Sequence, residues 1–134
     1  MKVLIDTNVV LDLLLDREPF VADAAEVFAR IERCQWQGYL CATTLTTIHY
    51  LVGREVGGQR ARIAVGKLLS LCEVAPVTRQ VLEGALRSGF ADFEDAVLHE
   101  AAKAVQADVI MTRNQKDFKP ATLPVVGPDE LLGR

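Results

Sequence analysis

The chain is predicted to be an α/β domain, a three-layer α/β/α sandwich around a four- or five-stranded, mostly parallel sheet. Three observations predict it. Met1-Lys2-Val3-Leu4-Ile5 is an almost uninterrupted apolar run, which a central parallel strand needs because both its faces are covered. Short apolar runs recur around Tyr39, Val74, Val109 and Val125, separated by segments with helical spacing. The chain has 134 residues, half of them hydrophobic and a quarter charged, so residues 1–134 make one domain with a real core.

The first strand covers residues 2–5, and Val9 to Leu15 form a short apolar helix after it. Pro19 sits where a first-turn proline is tolerated, and Phe20, Ala24, Val27, Phe28 and Ile31 then recur at helical spacing. Gly38 breaks that helix, and Tyr39-Leu40-Cys41-Ala42 is the second strand. Thr43 or Thr44 caps a third helix carrying Leu45, Ile48, Leu51 and Val52, which Gly57-Gly58 interrupts. A fourth helix carries Ile63, Ala64, Leu68 and Leu69, and a third strand around Val74 ends at Pro76. Residues 78–88 are helical up to Gly89, residues 92–106 are helical, Asp108 to Thr112 is the fourth strand and Val125-Val126 a short last one.

Composition narrows the function classes. No apolar stretch approaches the roughly 20 residues that span a bilayer, and the N-terminus lacks the arrangement of a secretory signal, so a cytoplasmic protein is expected. Cys34, Cys41 and Cys72 lack metal-binding spacing and read as reduced, mostly buried thiols. With only His49 and His99 no His/Cys zinc cluster can be assembled. A net charge of −3 argues against simple electrostatic capture of nucleic acid, unless a bound cation reverses the local sign.

The acids carry the chemistry. Asp6 ends the first strand, and open α/β sheets bind ligands beyond the carboxyl ends of their strands. A plainer role for Asp6 is to cap the next helix, although Thr7 and Asn8 beside it are also good cappers. Asp92 and Asp95 share one helix face with His99, opposite Phe93, Val97, Ala101 and Val105. Asp92 also suits an N-cap with Asp95 as the acid of a capping box, which does not exclude metal binding. His99 reads as a half-exposed helix residue and is left out of the site. Thr112, Asn114 and Asp117 follow the fourth strand with hard oxygen donors suited to Mg²⁺ or Mn²⁺. The plainer alternative there is an Asn-rich turn with Phe118 folded into the core. Asp12 and Asp16 read as solvated-face residues. Arg54, Arg60, Arg62 and Lys67, and separately Arg113, Lys116 and Lys119, are basic groups that either hold phosphates or keep their segments soluble. Acids gathered at one sheet edge repel each other, and a divalent cation relieves them.

Val3-Leu4-Ile5-Asp6-Thr7-Asn8, then Asp92-Phe93-Glu94-Asp95-Ala96, then Val109-Ile110-Met111-Thr112-Arg113-Asn114-Gln115-Lys116-Asp117-Phe118 resemble, in order and spacing, the PIN domain family. The similarity runs end to end and is greatest to small bacterial stand-alone members, many of them toxins of the VapC type. It implies a Mg²⁺- or Mn²⁺-dependent endoribonuclease that cuts RNA, forms a homodimer and is inhibited by a cognate antitoxin. Position by position, Asp6 matches the family's first acid and Asp95 its third. The fourth place holds Asn114, with Asp117 three residues later as its substitute. The second acid, a glutamate of the third helix, is missing; Thr47 or His49 takes its place, and Asp92 is the candidate to restore the lost charge. Asp6, Asp95 and Asp117 are thus the expected catalytic residues, the same three with Asp92 the expected metal ligands, and Thr7, Asn8, Thr47, Thr112 and Asn114 the supporting ones. Two alternatives stand beside this: a degenerate family member that binds RNA or protein without cutting, and a phosphoryl-transfer domain, which also places an aspartate at a strand end.

Overall fold

In the computed structural model, which covers residues 1–134, five strands form one sheet. They are β1 (Lys2–Ile5), β2 (Gln37–Cys41), β3 (Glu73–Ala75), β4 (Val109–Met111) and β5 (Val125–Val126), in the order β3-β2-β1-β4-β5 with every pairing parallel. β1 is central, as its apolar run predicts, and Val3, Leu4 and Ile5 are fully buried. From β1 the chain moves outward to β2 and β3 on one side, then returns to the other side as β4. The carboxyl ends of β1 and β4 therefore form the crevice where the strand order reverses, the place open sheets use for ligands.

Helices cover both faces: α1 (Thr7–Leu14), α2 (Val21–Glu32), α3 (Ala42–Val56), α4 (Gly58–Leu71), α5 (Arg79–Leu86), α6 (Phe93–Ala104) and α7 (Pro128–Leu132). Side chains alternate along a strand, so each strand serves two cores. Val3, Ile5, Leu40 and Met111 pack with Val9, Val27, Phe28, Ile48 and Leu68 from α1 to α4, and with Leu132 of α7. Leu4, Tyr39, Cys41 and Ile110 pack on the other face with Val81 and Ala85 of α5, and with Ala96, Val97 and Ala101 of α6. This is the expected three-layer sandwich. No helix is long and apolar enough to cross a membrane.

Several local expectations need correction. Helix α1 begins at Thr7, capped by Asp6, not at Val9. Gly38 lies inside β2 and breaks nothing; a Cβ there would meet Ile31 Cδ1 at 2.8 Å and Cys72 Sγ at 3.0 Å, so close packing of α2 against the strand requires glycine. Helix α3 starts at Ala42, which puts Thr43 and Thr44 inside its first turn and leaves its cap position to Cys41, without a side-chain bond. On α4 the buried residues are Ala61 and Leu68, while Ile63 and Leu69 are exposed. Phe93 is exposed too, and α6 is buried around much of its circumference through Ala96, Val97, Leu98, Ala101 and Ala102. Pro19 lies in the turn before α2, after a cis peptide bond. The short α7 was not expected, although Pro128 at its first position and Asp129 and Glu130 behind it are an ordinary helix start.

Candidate functional site

Asp6 extends β1 by one residue, its N–H donating to the Met111 carbonyl of β4 at 2.9 Å. Its carboxylate is nearly buried and tied on both oxygens. Oδ1 accepts from the Thr7 N–H at 2.7 Å; Oδ2 accepts from the Thr112 hydroxyl at 2.8 Å and, more distantly, from Asn8 Nδ2 at 3.4 Å. Capping and site geometry therefore coincide in one residue. Thr112 is wholly buried and its hydroxyl is saturated, since Oγ1 also accepts from Asn8 Nδ2 at 3.2 Å and from the Asn114 N–H at 3.0 Å. It holds Asp6 in place and has no lone pair left to offer elsewhere. Asn8 joins the same clamp through Oδ1, which accepts from the Arg113 N–H at 3.3 Å, and Thr7 donates its hydroxyl to Thr44 of α3 at 3.0 Å.

The first turn of α6 arrives at this edge. Asp92 is the N-cap, with extended backbone and Oδ1 accepting from the Asp95 N–H at 3.1 Å. Asp6, Asp92, Glu94 and Asp95 line one cleft of about 250 Å³, together with Thr47 and Asn114. Asp117 stands on a single 3₁₀ turn, Gln115–Phe118, and lines an adjoining cavity of about 340 Å³ that shares Asp92 and Asp95. Phe118 is buried in that turn, as the plainer view of the segment expects, and its acid still reaches the site. The structure thus brings together Asp6, Asp92, Asp95 and Asp117 from three separate stretches of chain.

Electrostatics follow from the crowding. Burial pushes the Asp6 carboxyl above its ordinary value; the hydrogen bonds from Thr112 and Thr7 offset this only in part, and the charges of Glu94 and Asp117 add to it. Asp95 is pushed up to about 7, by burial first and then by the charges of Asp6, Asp92, Asp117 and Glu94, with no hydrogen bond to lower it. Burial and mutual repulsion therefore disfavour carrying every charge in this site at once.

Residues 2–116 match the sequence profile of the PIN domain family. The chain belongs to that family. Its fold agrees with solved PIN-type structures: a toxin–antitoxin complex from Klebsiella pneumoniae (24% identity, TM-score 0.70, 94% of this chain and 97% of that one), VapBC from Salmonella typhimurium bound to DNA (16%, 0.73, 96% and 98%), and the sarcin–ricin-loop-cleaving toxin VapC20 from Mycobacterium tuberculosis (17%, 0.66, 81% and 86%). At these identities the likeness is one of fold. No curated protein matches the chain in sequence.

Within this PIN domain, the two residues that stand where the resemblance expects a glutamate on α3 are placed differently. Thr47, not His49, faces the cleft, and its hydroxyl donates to Glu94 Oε1 at 3.3 Å. Glu94 was not singled out from the sequence, where it stands one residue off the Asp92/Asp95 face; in the first turn of α6 its longer side chain reaches the same edge. Asp12 was also misjudged. It is buried, and Arg113 binds it through Nε at 2.5 Å and Nη2 at 3.0 Å while lying 3.8 Å from the Phe20 ring centroid. Asn8 and Asp12, one helical turn apart on α1, thus both fasten the turn that follows β4. A larger cavity of about 590 Å³ opens beside this pair but includes none of the four gathered aspartates. His99 is buried rather than half-exposed: its Nε2 accepts from the Thr122 N–H at 3.0 Å and its Nδ1 faces Glu100 at 3.0 Å, which makes it a tie between α6 and the segment before β5. Burial, the largest influence, lowers its pKa.

The divalent cation implied by the resemblance can be tested against these residues. As the side chains stand, no three Asp, Glu, His or Cys groups form a ready coordination shell. The donor chemistry fits nonetheless. The available ligands are all hard oxygens, and a carboxyl pushed to about 7 by burial and its acidic neighbours marks a repulsion that a hard cation relieves. Asp92, Glu94 and Asp117 are exposed, Asp92 with one oxygen engaged in capping α6 and Glu94 with one bonded to Thr47.

Proposed function

We propose that the protein is a Mg²⁺- or Mn²⁺-dependent endoribonuclease acting in the cytoplasm as the toxin of a toxin–antitoxin pair. One observation carries this reading: the Asp6, Asp95 and Asp117 carboxylates converge on the carboxyl edge of β1 and β4 in a PIN domain, where burial and then the neighbouring charges push the Asp95 carboxyl up to about 7. Asp6, Asp95 and Asp117 are the catalytic residues; with Asp92 they would hold the cation. When bound, such a cation lowers the pKa of a coordinated water and offsets charge on the scissile phosphate. Thr112 and Asn8 keep the Asp6 carboxylate in a single orientation at the edge of the sheet. Arg17 on the cleft wall and Lys116 beside Asp117 offer cations to the RNA backbone on either side of the acids.

Support for a protein partner comes from the relatives, several of which are toxin–antitoxin complexes, and from exposed apolar side chains on α3 and α4, namely Tyr50, Val56, Ile63 and Leu69. A cognate antitoxin and a second copy of the chain are the partners proposed. Thr47 at the place of a family acid favours a second reading, a domain that binds RNA or protein without cutting. RNA incubated with Mg²⁺, Mn²⁺ or chelator separates the two. Cleavage is expected for the wild-type chain with cation and is expected to vanish with chelator or in Asp6→Asn. Cleavage by Asp6→Asn at the wild-type rate, with contaminating nuclease excluded, refutes the assignment of Asp6 to the catalytic site; binding without cleavage by the wild type refutes the nuclease and selects the second reading.

A further inference from the structure

We infer that Glu94 supplies the carboxylate that α3 lacks, so that the pocket takes its second acid from the first turn of α6. The inference rests on the nuclease reading above and adds a metal-holding residue to it. Thr47 stands at the α3 position of the missing acid, and its hydroxyl donates to Glu94 Oε1 at 3.3 Å. The α6 carboxylate therefore ends beside the point from which a longer side chain on α3 would deliver its own. Glu94 lines the same cleft as Asp6 and Asp95, and its charge reaches both.

Constraints on the neighbours single it out. Asp92, the compensating acid suggested by spacing, is engaged through Oδ1 in capping α6. Asp6 is held on both oxygens by Thr7, Asn8 and Thr112. The Glu94 carboxylate is exposed, and its one protein partner is a hydroxyl at the long end of hydrogen-bonding distance, so Oε2 is entirely available. One methylene more than aspartate gives it the reach to cross from α6 toward α3. The α6 N-terminus favours a negative charge there. Thr47 fits this arrangement better than an acid would, because a second carboxylate facing Glu94 would repel it, whereas a hydroxyl orients it.

Calorimetric titration of the metal-stripped full chain with Mn²⁺ tests the assignment without reference to cleavage. Glu94→Gln, isosteric at an exposed position, is expected to weaken Mn²⁺ binding by roughly 10–100-fold, and Asp92→Asn by clearly less, since an asparagine still caps the helix. Returning the acid to α3, in Thr47→Glu combined with Glu94→Gln, is expected to recover most of the loss. Thermal unfolding in chelator checks that each variant is folded. Wild-type affinity in Glu94→Gln overturns the inference and leaves the nuclease reading intact, as does a loss confined to Asp92→Asn. A wild-type chain that binds no Mn²⁺ overturns both.

Discussion

Replacing Asp95 by asparagine probes the charge of the pocket while preserving its shape. In the folded chain this carboxyl is pushed up to about 7 from an ordinary 3.8. At about 1.4 kcal/mol per unit the penalty for ionising it in the folded state would approach about 4 kcal/mol. Asp95 is partly open to water, and solvent and salt screen its neighbours' charges, so about 1–2 kcal/mol is expected at full ionisation. The folded chain binds this proton more tightly than the unfolded chain does. The penalty is therefore absent below about pH 4, grows as the unfolded chain gives up its proton, and is complete above about pH 7. In chelator at pH 8, Asp95→Asn should raise the melting temperature by about 3–8 °C; at pH 4 the two proteins should melt together. Adding Mn²⁺ should reverse the order at pH 8, because a ligand that binds only the folded state stabilises the chain with the better site. A pH-independent difference, or a destabilised Asp95→Asn at pH 8, would refute this account of the pocket.

Two further outcomes concern the parts that hold the acids. Thr112→Val removes a hydroxyl that serves Asp6, Asn8 and the Asn114 N–H at once; a loss of about 2–3 kcal/mol in urea unfolding is expected, with Thr112→Ser retaining most of the stability. The same change should push the Asp6 carboxyl still higher in an NMR titration, and an unmoved Asp6 resonance would show that the hydroxyl is not its support. Arg113→Ala strands the buried Asp12 with only Arg17 at 4.0 Å, which should cost about 3 kcal/mol and be partly recovered by adding Asp12→Asn. Unfolding midpoints of the four proteins form the double-mutant cycle that measures it.

The site was legible where a residue's role depends on its place along a strand or at a helix start. Asp6 follows an apolar run, and Asp92 and Asp95 open a helix, so both could be assigned to element ends before their distance was known. The misjudged residues are those whose partners are distant in the chain. Asp12 looks like any acid on a short helix until Arg113, held beyond β4, folds over it. His99 shares a helical face with two acids, but Thr122 and Glu100 claim its ring. Glu94 lies off the face counted for Asp92 and Asp95, and only the approach of α3 through Thr47 turns it into a member of the cleft.

The amino-acid order by itself determined the architecture: an apolar run too continuous for anything but a central strand, helical spacing between the later strands, and acids stationed at the ends of elements. Those are consequences of local periodicity, which each segment carries alone. What the tertiary structure decided is which acids meet and how strongly burial and repulsion disfavour their ionisation. Desolvation and like-charge repulsion depend on distances across the sheet edge, between β1, α6 and the turn after β4, and no single segment contains them.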